Sequence, residues 1–195
     1  MRAFATPQAG TPGLGRPGAG LTVGQVRIIG GQWRRSLLTV PELPGLRPTG
    51  DRVRETLFNW LGQDLTGWRV LDAFAGSGAL GFEAASRGAQ VRLVESNAKA
   101  VAALRHTLAK LQGAAERVTV HQGDGFAALA AGGYDLAFID PPFGTDGFER
   151  AMAAVRDANW LYLEAPREIA APEGWRSHRH LKAGAVHAHL FAREN

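Results

Sequence analysis

The chain has 195 residues, 45% of them hydrophobic, and a net charge of +4, which suits one domain with a modest appendage. It has no cysteine, and this excludes disulfides, thiolate zinc sites, iron–sulfur clusters and pyrimidine C5 methylation through a covalent cysteine adduct. No apolar run approaches the roughly 18 residues of a membrane span and no signal-type core opens the chain, so a cytoplasmic protein with no membrane partner is expected.

Residues 1–24 are rich in Gly, Pro and Ala without an apolar period and read as a disordered tail. Val26–Ile29 and Trp33–Val40 are predicted strands, with Gly30-Gly31 as a tight turn between them. After the loop Pro41–Pro48, Thr49 is placed to cap a helix through Leu61. That helix buries Val53, Leu57, Trp60 and Leu61 and turns Arg52, Arg54, Glu55 and Asn59 outward. Residues 1–54 carry +6 and the remainder −2, so a polyanion contact would fall on the N-terminal part.

From Val70 onward, strand and helix patterns alternate. Strands are predicted at Val70–Phe74, Val91–Glu95, Val118–His121, Tyr134–Ile139 and Trp160–Glu164. The helices between them are Ala79–Arg87, Ala98–Gln112, Gly125–Ala131 and Gly147–Ala158. Arg176–Leu181 and Ala185–Ala192 form a closing hairpin around Ala183-Gly184. The fold class is α/β: a Rossmann-like, mostly parallel seven-stranded sheet with a C-terminal antiparallel hairpin, preceded by an N-terminal β-hairpin and helix. Residues 65–195 would form the main domain and residues 25–64 the N-terminal element.

Two loops carry the chemistry. Phe74-Ala75-Gly76-Ser77-Gly78 stands where a strand becomes a helix, suited to close approach of a nucleoside cofactor. Asp72 precedes Gly76 by four residues, and Glu95 ends the next strand, 23 residues beyond Asp72. Glu95 with Ser96 is placed for ribose hydroxyls and Asp124 with Gly125 for an adenine amine. Both NAD and S-adenosylmethionine fit this outline. Asp72, suited to a methionine ammonium rather than a pyrophosphate, favours S-adenosylmethionine.

The second loop is Asp140-Pro141-Pro142-Phe143, after an apolar strand. The amino group of a nucleobase is a weak nucleophile because its lone pair is delocalised into the ring. The Asp140 carboxylate and the Pro141 carbonyl can each accept one of its N–H bonds, the prolines fix both acceptors, and Phe143 can stack on the base. The expected reaction is methyl transfer to an amine, with no metal required.

The segments Arg27–Arg34, Leu46–Thr49, Asp51–Leu61, Asp72–Gly81 and Asp140–Phe143 together resemble the bacterial family of 16S ribosomal RNA guanine-N2 methyltransferases that act on the small subunit. The resemblance runs from about Val26 to Glu164. It implies S-adenosylmethionine as donor, a guanine 2-amino group of 16S rRNA in the small subunit as acceptor, and an RNA-facing segment 25–64. Phosphate contacts are then expected from Arg27, Arg34, Arg47, Arg52 and Arg54. Gly50 departs from the threonine expected before Asp51. Trp33 suits either RNA stacking or hairpin packing.

A two-residue turn at Ala183-Gly184 would pair His180 with His187 and His178 with His189 on one face. With no carboxylate beside them, they read as a solvated strand face and not as a metal site. A monomer is expected. The rival readings are a DNA adenine-N6 or protein glutamine methyltransferase and a non-catalytic RNA-binding assembly factor.

Overall fold

The computed structural model describes residues 24–43, 48–141 and 147–194. Strands β1 (Gly24–Arg27) and β2 (Leu37–Val40) form an antiparallel hairpin, followed by α1 (Asp51–Leu61). The main body then runs β3 (Arg69–Asp72), α2 (Ala79–Ser86), β4 (Gln90–Glu95), α3 (Ala98–Lys110), β5 (Val118–Gln122), α4 (Gly125–Ala131) and β6 (Leu136–Ile139). It ends with α5 (Gly147–Ala154), β7 (Trp160–Ala165), β8 (Trp175–Ala183) and β9 (Val186–Arg193).

The seven-stranded sheet has the order β5-β4-β3-β6-β7-β9-β8. The strands β3 to β7 are parallel, while β9 is antiparallel to both β7 and β8. The central parallel strands β3, β6 and β7 are largely buried on both faces, and β6 (Leu-Ala-Phe-Ile) shows no exposed residue, whereas the edge strand β5 is open to solvent. Successive strands move outward in opposite directions from β3 and β6, so the topological switch point lies between those two strands.

The N-terminal hairpin and α1 share the core of the main body. Ile28, Trp33, Leu38, Val53, Leu57 and Phe58 pack in one cluster with Phe82, Phe138 and Tyr162. Trp33 is 5% exposed and donates its indole N–H to the Gln112 carbonyl at 2.9 Å, which assigns it to packing. Gly30-Gly31 does not make a tight hairpin turn. The connection extends over residues 28–36 and docks on α2, where Gln32 N donates to Ser86 O at 2.7 Å and Trp33 N to Ser86 Oγ at 2.9 Å. Gly31 has φ +74, and a Cβ there would meet Ser86 O at 2.0 Å, so only glycine admits this contact.

The helix α1 corrects two expectations. Gly50 occupies its N-cap position without a side-chain cap, and the Thr49 carbonyl instead accepts from Arg54 Nε at 3.1 Å. Arg54, expected to point outward to RNA, is 0% exposed. Its guanidinium reaches Glu83 at 3.0 Å, the Arg27 carbonyl at 2.9 Å and Asp51 at 2.6 Å. The buried stripe is Val53, Arg54, Leu57 and Phe58, so Arg54 is a structural ion-pair partner and cannot anchor a phosphate. Several other boundaries are shorter than expected: β3 ends at Asp72, α2 at Ser86, α3 at Lys110 and α5 at Ala154.

Candidate active site

The sheet places the two chemical loops side by side. The register pairs Asp72 with Phe138 across β3 and β6, and Ala73 N donates to Phe138 O at 3.2 Å. The glycine turn leaves β3 and Asp140 leaves β6 from the same edge, at the switch point. Gly76 and Gly78 take positive φ, 52° and 75°, and turn the chain into α2. Gly81 lies where α2 crosses the sheet, and a Cβ there would meet Leu93 at 2.2 Å.

Carboxylates organise the turn. Asp72 is 4% exposed and its Oδ2 accepts from Gly81 N at 3.1 Å, so it props the turn from below. Glu95 accepts from Gly76 N at 2.9 Å and from Asn97 N at 2.7 Å, tying the end of β4 to the glycine turn. Ser96 stands beside it, with its hydroxyl 3.4 Å from Glu95 Oε1. Asp124 caps α4 by accepting from Phe126 N at 2.9 Å and is exposed. Gly125 follows it, and a Cβ there would meet Ala73 O at 2.1 Å, which packs α4 against the same turn. Phe74 and Phe126 meet edge-on at 5.1 Å. Neither 72–81, 95–97 nor 123–126 contains a lysine or arginine. This set of carboxylate acceptors suits a cationic nucleoside with a diol and an amine and disfavours a pyrophosphate.

Burial is the main reason the Asp72 carboxyl rises to about 7; the charges of Asp140 and Glu95 add to it, and the Gly81 hydrogen bond opposes it. Asp140 also rises to about 7, through surrounding protein first and the Glu164 charge second. Its side chain is nonetheless reached by water. It is therefore crowded on one side and open on the other.

A carboxyl whose folded pKa lies above its unfolded value near 4 opposes folding as it ionises. The stability it lends is complete below about pH 4 and is lost as pH rises through about 7. Asp72→Asn keeps an acceptor for Gly81 N–H and removes the titration. Urea midpoints should then fall less steeply between pH 5 and 8 in the variant than in the parent; an unchanged slope contradicts the assignment.

Other predicted residues are placed as follows. Arg27, Arg34 and Arg52 are exposed on β1, the hairpin connection and the first turn of α1. Ala75 and Ser77 are buried in the turn. Pro141 is half-buried next to Asp140. Pro142, Phe143 and Arg47 lie outside the described residues. A cavity of about 690 Å³ opens between β1, β2 and the start of α1, away from the strand ends, and is not where the reactive groups meet.

Two residues near Asp140 carry no sequence signal: Tyr162 and Glu164. Tyr162 is 1% exposed and donates its hydroxyl to Glu164 Oε1 at 2.8 Å. They follow an ordinary apolar strand pattern, and only the sheet register brings them to the site.

The closing hairpin differs from expectation in register. Its turn is Gly184-Ala185, so His180 faces His189 and Lys182 faces His187, while a bulge between Ser177 and Arg179 sends His178 onto Trp160. His180, His187 and His189 do cluster, but they are not a uniformly solvated face: His189 is 1% exposed. Nor is a carboxylate lacking, since Glu168 lies 3.9 Å from His180 Nδ1. Ile169 N donates to His189 Nε2 at 3.0 Å, which puts the proton of this neutral ring on Nδ1. That leaves His189 no lone pair for a metal in this arrangement.

Comparison with known proteins places the chain. Residues 26–192 match the family described as conserved hypothetical protein 95. Ribosomal RNA small subunit methyltransferase D of Escherichia coli K12 is 42% identical over 181 residues, covering 88% of this chain and 91% of that protein. The Haemophilus influenzae protein of the same name is 38% identical, covering 86% and 94%. A solved candidate methyltransferase from Escherichia coli superposes with a TM-score of 0.77 at 38% identity, covering 88% of this chain and 99% of that one.

Proposed function

The chain belongs to the conserved hypothetical protein 95 family, that of the bacterial small-subunit ribosomal RNA methyltransferases, and from this premise we propose how its residues divide the work. It methylates the exocyclic 2-amino group of a guanine in 16S rRNA, with S-adenosylmethionine as donor. The observation that carries the reading is the juxtaposition of the glycine turn and Asp140 at the switch point, fixed by the pairing of Asp72 with Phe138.

Bound S-adenosylmethionine supplies an electrophilic sulfonium methyl. Phe74, Ala75, Gly76, Ser77 and Gly78 form the cradle. Glu95 and Ser96 take the ribose side, Asp124 and Gly125 the adenine side, and Asp72 supports the turn from beneath. Asp140 and the Pro141 carbonyl accept the two N–H bonds of the amine, so that its lone pair faces the donor. Phe143 is assigned stacking on the base and Pro142, with Pro141, the stiffening of the segment after Asp140. As the methyl would pass from sulfur to nitrogen, positive charge would develop on the nitrogen; Asp140 stabilises it, and the proton that the methylated amine sheds would pass to that carboxylate. Arg27, Arg34, Arg47 and Arg52 hold phosphates around the target base. Segment 25–64 is the RNA-facing part of the protein, and residues 65–195 are the methyl-transfer domain. The protein acts as a cytoplasmic monomer; among the described residues no helix is long and apolar enough to cross a membrane.

The test is incubation with S-adenosylmethionine and small subunits lacking the modification, followed by mass spectrometry of nuclease fragments. One added methyl on the 2-amino group of a single guanine is expected. Transfer to duplex DNA or to a protein glutamine instead would overturn the reading.

A further inference from the structure

Asp140 is not the only carboxylate at the acceptor end. Strands β6 and β7 run parallel with Ile139 opposite Leu163, so the next residues, Asp140 and Glu164, emerge side by side. Strand alternation puts Asp140 on the face of Phe138 and Glu164 on the face of Tyr162. Those two rings meet edge-on at 5.9 Å, so both carboxylates project from the same side of the sheet. The buried Tyr162 hydroxyl holds Glu164 Oε1 at 2.8 Å and thereby fixes the plane of the carboxylate. Among the described residues Oε2 meets no donor, and the side chain is only half-buried.

The pairing-edge chemistry of the purines gives this arrangement a use. Guanine presents two adjacent donors, N1–H and the 2-amino group. Adenine presents its amine beside an N1 that accepts. A second carboxylate next to Asp140 rewards the first pattern and repels the second.

We propose that Glu164 selects guanine by accepting its N1–H while Asp140 and the Pro141 carbonyl hold the 2-amino group, with Tyr162 as the residue that positions Glu164. This rests on the methyl-transfer reading above and adds a recognition role to that site. It also explains why a tyrosine buried in an apolar layer spends its hydroxyl on a carboxylate at the strand end.

The test uses small subunits reconstituted with 16S rRNA that carries either guanine or 2-aminopurine at the methylated position. 2-Aminopurine keeps the 2-amino group but its N1 accepts and has no proton. The parent enzyme should prefer guanine by about 10²-fold or more in kcat/KM, since a site built to receive a hydrogen bond rejects an analogue lacking it. Glu164→Gln should lower guanine turnover and narrow that preference at least tenfold, because its amide can donate to N1 of 2-aminopurine. Tyr162→Phe should narrow the preference less, as its only change is a freed Glu164 carboxylate. Circular dichroism melts identify variants that fail to fold. A Glu164→Gln enzyme that loses both substrates in equal proportion overturns the inference, because a merely structural role lowers activity without changing the ratio. If the parent enzyme leaves the guanine subunits unmethylated, the functional reading itself fails and the inference falls with it.

Discussion

Asp140→Ala is expected to lower kcat for methyl transfer about 10³-fold while leaving the melting temperature and S-adenosylmethionine affinity close to those of the parent. Asp140 follows β6 as an exposed residue and, among the described residues, its side chain accepts nothing that holds the sheet together, so its removal should not loosen the fold. In the proposed role, its loss would strip one of two acceptors from the amine, and the nitrogen lone pair would relax back into the base. The pH profile gives an independent reading. Only the ionised carboxylate accepts both well and with charge, and Asp140 titrates at about 7. Single-turnover rates should therefore fall as pH drops below about 7, and this acid limb should vanish in Asp140→Asn, whose residual rate is pH-independent across that range. Single-turnover assays from pH 5.5 to 9 decide the matter; a fully active alanine variant, or an acid limb that persists in the asparagine variant, contradicts the role given to this carboxylate.

What could be read from the chain depends on how locally each feature is encoded. The turn from Phe74 to Gly78 and the sequence Asp140-Pro141 are contiguous, and the alternation of strand and helix places them at strand ends without further information. Arg54 illustrates the opposite case. On a helical wheel a charged residue is read as outward-facing, yet its partner Glu83 lies 29 residues away on α2 and makes burial possible. Glu164 and Tyr162 belong to no motif and matter only because β7 pairs with β6 in one register. Gly30-Gly31 resembled a hairpin turn because two glycines between apolar runs usually make one. Here the second is needed where backbone touches Ser86. The C-terminal hairpin shifted because Gly184, at φ +61, begins the turn instead of ending it, and because one bulge is invisible to alternation.

Glu83→Leu is expected to destabilise the protein by about 3–5 kcal/mol, the usual cost of removing one partner from a buried ion pair. Glu83 is 0% exposed and is shared by Arg54 and Arg87 and by the backbone N–H groups of Ile29 and Gly30 at 2.9 Å and 2.8 Å. Without it, two guanidinium groups and two peptide donors lose their common acceptor. In a chain of this length that corresponds to a fall in Tm on the order of 10 °C, measurable by calorimetry or urea titration. Pairing Glu83→Leu with Arg54→Met should restore only part of the loss. An apolar pair removes one stranded charge, but Arg87 keeps only the neutral acceptors Gln63 Oε1 and the residue 83 carbonyl, and the donors of Ile29 and Gly30 stay unsatisfied. The damage should also be directional. These bonds tie the N-terminal hairpin, which carries the exposed Arg27 and Arg34, to α2, which begins at the cofactor turn. In a Glu83→Gln enzyme assayed well below its melting temperature, KM for small subunits should rise several-fold while S-adenosylmethionine affinity stays put. A variant with unchanged midpoint and unchanged KM would show that this carboxylate neither holds the hairpin nor links RNA docking to the catalytic domain.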